Sequence, residues 1–194
     1  EVLEELYRIG LRAFVIPREY FADIGNATDL YKTKYGDLIK IKEIAGKYGI
    51  ELSLAYPDLP EKHDEILRTF CIIGTVMDAR TLVIQPTFFP RMPQDQATKL
   101  VVHKLNEITN SMRLKFKIGV ETTGKMNQVG TVEDILDIVE RTVGTEPVLN
   151  WAHIHARGAG ALRSQSDFKK IIDKARSVAG VNWVDNAVYS DNVN

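Results

Sequence analysis

Short runs of apolar, largely β-branched residues recur at 11–16, 50–55, 81–84, 116–120, 147–154 and 181–184, their starts about 31 to 39 residues apart. Between them the apolar positions change period. Leu38, Ile41, Ala45 and Tyr48 are spaced by three and four, as are Ala97, Leu100, Val101, Leu105 and Ile108, then Val132, Ile135, Leu136 and Val139, then Phe168, Ile171, Ile172 and Ala175. That spacing lays one apolar stripe along a helix, so the chain reads as alternating strand and helix. Thr131 with Glu133 and Asp134, and Ser166 with Asp167, read as helix starts, because a side-chain oxygen accepts orphan N–H groups and acids suit the positive end. Gly10, Gly49 and Gly180 read as helix stops, each followed by a strand.

Near-continuous apolar strands alternating with helices predict an α/β fold in which a parallel sheet is covered by helices. Six strand–helix units are visible. An open doubly wound sheet of six fits the count, but no strand leads into a G-x-G-x-x-G turn or a phosphate-binding G-K-[ST] loop. A (β/α)8 TIM barrel fits better, as a single domain over residues 1–194 that lacks its first and last strands. The chain starts without Met inside a helical pattern, and the stretch from Val184 to Asn192 reads as the end of a strand. The expectation is an incomplete view of a barrel of roughly 250 residues or more.

Composition narrows this only a little. With 194 residues and 44% hydrophobic content the chain is able to bury a real core, and a net charge of -1 means that any nucleic-acid surface must come from a local cluster of Lys and Arg. The single cysteine, Cys71, sits in an apolar run and reads as a core residue in a reducing compartment. No apolar run approaches the ~20 residues of a membrane span, and no signal pattern opens the chain. A cytoplasmic monomer with no membrane partner is expected.

In a barrel the chemistry lies at the carboxyl ends of the strands. Those ends carry, in order, Arg18 and Glu19; Tyr56 and Asp58; Gln85 and Thr87; Glu121 and Lys125; Asn150, His153, His155 and Arg157; and Asp185 with Asn186. Glu121 ends an apolar strand, where a carboxylate must be paired, metal-bound or catalytic, because burying it alone costs several kcal/mol. His153 and His155 alternate along an expected strand, so both rings face one side and are candidate ligands. His63 and His103 fall on helices and read as solvated. Arg18, Arg91, Lys125, Arg157 and Arg163 all map to loops at the same end, forming a candidate basic rim for phosphate oxygens or the DNA backbone.

The segments Glu121–Thr131 and Ala152–Arg157 resemble the archaeal branch of the endonuclease IV family, metal-dependent apurinic/apyrimidinic endonucleases on a xylose isomerase-like barrel. The likeness runs in register over most of the chain. The resemblance implies up to three zinc ions, a water activated to cut the phosphodiester 5′ to an abasic site, base excision repair as the process, and duplex DNA as the partner. Carried across by residue, Glu121 matches the catalytic, bridging glutamate and His153 a histidine ligand, with His155 and Asp185 as further metal candidates. Other positions depart from the family: Glu51–Pro57 holds no histidine, Gln85 stands where a histidine is placed, Asn150 replaces an aspartate, and Asn186 falls near a further histidine. A neutral amide is a weak zinc ligand and supplies no charge. Two alternatives therefore stand beside a hydrolase: a catalytically degenerate relative that binds DNA or a phosphate ligand, and a sugar isomerase or epimerase on the same scaffold.

Overall fold

The structure, a computed structural model, describes residues 1–21, 27–57, 63–89, 91–181 and 183. Helix and strand alternate in the order α1 (Val2–Arg8), β1 (Ala13–Ile16), a 3-10 turn (Arg18–Phe21), α2 (Ala27–Thr33), α3 (Tyr35–Tyr48), β2 (Glu51–Ala55), α4 (His63–Val76) and β3 (Thr81–Ile84). They continue with α5 (Gln94–Met112), β4 (Lys117–Glu121), α6 (Val132–Glu140), β5 (Thr145–Val148), α7 (Trp151–Arg157) and α8 (Gln165–Ala179). The five strands form one sheet in the order β1-β2-β3-β4-β5, and the described registers are parallel. Parallel neighbours in chain order, each joined through a helix, are the α/β barrel arrangement. No described helix is long and apolar enough to cross a membrane.

The chain divides into two compact units. The first, residues 1–83 with 114–117, pairs Phe14 with Leu52 and Leu54 with Leu82, and packs helices over buried Leu38, Leu54, Ile66 and Leu67. Phe21 and Tyr56 meet Phe70 edge-on at 4.8 and 5.2 Å. Cys71 lies beside this cluster, wholly buried, and burial pushes its thiol up to about 12, well outside the range of a nucleophile. Helix α3 stops at Gly49, whose left-handed backbone (φ 61°) is the conformation glycine takes without a Cβ clash.

The second unit, residues 84–113 with 118–194, pairs Val120 with Pro147 and Glu121 with Val148. Helices α5 and α6 bury Val101, Leu105, Ile135 and Ile138 as their periodicity predicts. Thr131 caps α6: its hydroxyl accepts the Asp134 N–H, and the Asp134 carboxylate accepts the N–H groups of Thr131 and Gly130. At α8 the cap is Ser164 rather than Ser166, with Asp167 accepting the N–H groups of Arg163 and Ser164.

One expectation fails here. The run 147–154 is not a strand; β5 ends at Val148 and α7 begins at Trp151. Alternating Ala152, His153, Ile154 and His155 imitate a period of two, but Asn150 accepts the His153 N–H through its side chain and so nucleates a helix. The strand expected at 181–184 lies largely outside the described residues.

Candidate functional site

Glu121 closes β4 with no exposed surface, and its carboxylate is held by two carboxamides. Gln85, just beyond β3, donates Nε2–H to Oε2 at 3.1 Å, and Asn150, just beyond β5, donates Nδ2–H to Oε1 at 3.1 Å. The three side chains come from the ends of consecutive strands. A buried carboxylate must be compensated, and these two charge-assisted hydrogen bonds contribute to that. Asn150 is fully buried too and has a second task, because its Oδ1 takes the His153 N–H at the start of α7.

From this centre a polar network spreads into the β4–α6 loop. The Thr122 hydroxyl accepts the Asn150 backbone N–H at 2.8 Å, and His153 donates Nδ1–H to the Thr122 carbonyl at 3.0 Å. A carbonyl only accepts, so the ring nitrogen that faces it, Nδ1, carries a proton. Arg157, one turn further along α7, donates to the Thr123 carbonyl at 3.2 Å and to the Gln128 carbonyl at 2.7 Å. Thr123 N–H meets the Gly130 carbonyl at 3.0 Å and closes the loop at its base. Gly130 sits at φ 144°, and a Cβ there would run into the Thr123 side chain, so glycine is required for the closure.

The expected site residues separate into three groups. Gln85, Glu121 and Asn150 are brought together, with His153 and Arg157 beside them. His155 is not, because the helix turns successive residues by about 100°, placing it roughly 200° from His153, on an exposed face. The shared face expected of the two histidines is thereby corrected. Lys125 is exposed on the loop, Arg91 is exposed ahead of α5, Arg163 is exposed with Nε donating to the Gly160 carbonyl, and Arg18 is half-buried in the 3-10 turn of the first unit. Asp58, Asp185 and Asn186 lie outside the described residues, as does the side chain of His63, while His103 is exposed on α5 as expected.

The donor set does not fit a trinuclear zinc centre among the described residues. No three His, Cys, Asp or Glu side chains there are placed to hold a metal, and Gln85 and Asn150, which bond the oxygens of Glu121, are neutral amides and weak ligands. Sequence reasoning singled out Gln85 and Asn150 as replaced ligands and missed them as donors to Glu121. It also missed Lys170 and Lys174, which border a groove beside the loop with Arg157.

No protein-family model matches the chain. An uncharacterized protein of Methanocaldococcus jannaschii is 23% identical over 125 residues, covering 62% of this chain and 45% of the relative. Among solved structures, D-psicose 3-epimerase from Clostridium cellulolyticum H10, determined with D-tagatose, superposes with a TM-score of 0.65 at 13% identity, covering 92% of this chain and 64% of the other. A xylose isomerase domain containing protein from Salmonella typhimurium LT2 gives 0.59 at 17%, covering 86% and 60%. A xylose isomerase-like TIM barrel protein from Mycobacterium smegmatis in complex with magnesium gives 0.56 at 8%, covering 91% and 62%. The chain thus spans less than half of the curated relative and under two thirds of these structures. At such identities the likeness shows the fold alone, that of an α/β TIM barrel.

Proposed function

We propose that this protein is a catalytically degenerate member of the xylose isomerase-like barrels, which binds a phosphate-bearing ligand and does not hydrolyse it. The observation that carries the reading is the pair of amide donors on Glu121. Each carboxylate oxygen keeps acceptor capacity beside one N–H, so what weighs against a metal cluster is that the side chains bonded to Glu121 here are neutral amides, weak ligands that supply no charge. Glu121 then acts as the buried anchor of a network that sets the β4–α6 loop and the start of α7. Anion recognition falls to cations around that loop, of which Arg157 has its place fixed by two carbonyls. The test is incision of a duplex carrying one abasic site by the full-length protein, with and without added zinc. No incision above background in either condition is expected; zinc-dependent cleavage 5′ to the site would overturn the reading.

A second reading, hydrolysis of endonuclease IV type, draws on the family likeness of the two motifs and on one feature of His153. Its Nδ1–H is spent on a backbone carbonyl, which is the arrangement that presents Nε2 to a metal. The same incision assay separates the two readings, and Glu121→Gln would abolish zinc-dependent cleavage if the second holds. The sugar isomerase or epimerase alternative needs a second suitable carboxylate beside Glu121, and Gln85 and Asn150, which bond its oxygens, do not supply one.

A further inference from the structure

A groove of about 430 Å³ opens in the second unit between the first turn of α6, the helix α7 and the middle of α8. Its walls include Val132, Ile154 and Ile171, and its cationic side chains are Arg157, Lys170 and Lys174. The one acid on its lining, Glu133, is joined to Lys174 at 2.6 Å, and that hydrogen bond holds its carboxyl below the usual range. Three cations against one carboxylate leave an excess of two positive charges. Lys170 is exposed and lies within electrostatic range of Asp167, which is not on the lining, and Arg157 spends two of its guanidinium N–H groups on the loop carbonyls and keeps further donors. At the start of α6 the N–H groups of Gly130, Thr131 and Asp134 are already engaged in its cap.

We infer that this groove is the binding site for a phosphate monoester of a compact apolar alcohol, the phosphate held by Arg157, Lys170 and Lys174 and the apolar body laid against Val132, Ile154 and Ile171. The inference rests on the binding reading above and gives it a place and a ligand class. A phosphate monoester carries a charge of about -1.5 to -2 at neutral pH, which matches the excess of two. The volume falls in the usual range for a small-molecule site of about 300 to 1,000 Å³. Inorganic phosphate would leave most of that space and its apolar wall wet, and a neutral apolar molecule would leave the cations without a partner. Both halves of the ligand are therefore required.

The experiment titrates phenyl phosphate into the full-length protein, following amide NMR shifts and heat. Saturable binding is expected, with the largest shifts at Arg157 and Lys170 and an affinity at least tenfold above those for inorganic phosphate and for phenol. Lys170→Ala with Lys174→Ala should weaken it at least tenfold. Ala161→Trp, at an exposed position on the groove lining, should abolish it with the melting temperature unchanged. Should the tryptophan variant fail to fold, Lys170→Glu, exposed on α8, gives the same readout. Undiminished binding in these variants, equal binding of phenol, or no saturation at all would each overturn the inference. Zinc-dependent incision of abasic duplex alongside intact phenyl phosphate binding would support the groove and overturn only the non-hydrolytic reading.

Discussion

At the scale of single residues the consequential contact is between Glu121 and its two amides. Asn150→Asp would remove one donor and set a second carboxylate against a fully buried one. Two such groups resist ionising together, so one is driven to hold a proton. With chelator present, the variant is expected to lose on the order of 3 kcal/mol at pH 7 and to regain part of it as the pH falls toward 5, read from urea melts at the two values. A loss that does not change with pH would mean that Asn150 does not face Glu121. Cys71 gives a simpler check: with its thiol pushed up to about 12, the folded protein should not react with a maleimide at pH 8, and the thiol should become reactive in denaturant. The importance of Glu121 was legible because a carboxylate ending an apolar strand has to be compensated. The roles of Gln85 and Asn150 were not, since the same amide serves as a poor metal ligand or a good N–H donor, and only the position of its neighbour decides.

Among the elements, α6 and α7 show how far local pattern reaches. The stripe of α6 and its Thr131 cap were legible because capping needs residues only three apart, and the structure adds a reciprocal bond from Asp134. Burial of Asp134 opposes its ionisation, but the N–H groups of Gly130 and Thr131, the Gln94 amide and the Thr131 hydroxyl outweigh that and hold its carboxyl below the ordinary value of 3.8. A folded-state value below the unfolded one adds stability at pH above the ordinary value, and that stability is lost as the pH falls through the folded value. Asp134→Asn should therefore cost about 1 kcal/mol at neutral pH, and the gap to the parent should close below about pH 4, as followed by thermal melts across pH; a gap that persists in acid would contradict the cap. Helix α7 was misread because β-like alternation and a helical cap both fit Asn150–Arg157, and a side-chain bond from Asn150 decided it. The loop between β4 and α6 depends on Gly130. Gly130→Ala is expected to cost about 1 to 3 kcal/mol and to speed amide exchange at Thr123, whose N–H closes the loop.

Across the whole molecule, strand–helix alternation was legible because it depends on two periods that tertiary packing did not override, and the five described strands follow one another in the sheet as they do in sequence. The gathering of Gln85, Glu121 and Asn150 follows from that order, since each sits just past or at the end of consecutive strands. A basic rim was less legible: charge near a strand end says nothing about direction, and Arg157 turns to backbone carbonyls while Lys170 and Lys174, on a later helix, border the groove. The central proposal is that Glu121 anchors a hydrogen-bonded network and not a zinc centre, and the zinc retained by the purified full-length protein after dialysis tests it most directly, measured beside Glu121→Gln. Less than one equivalent, the same in both proteins, is the expected result. Two or more equivalents in the parent, lost in Glu121→Gln, would contradict it.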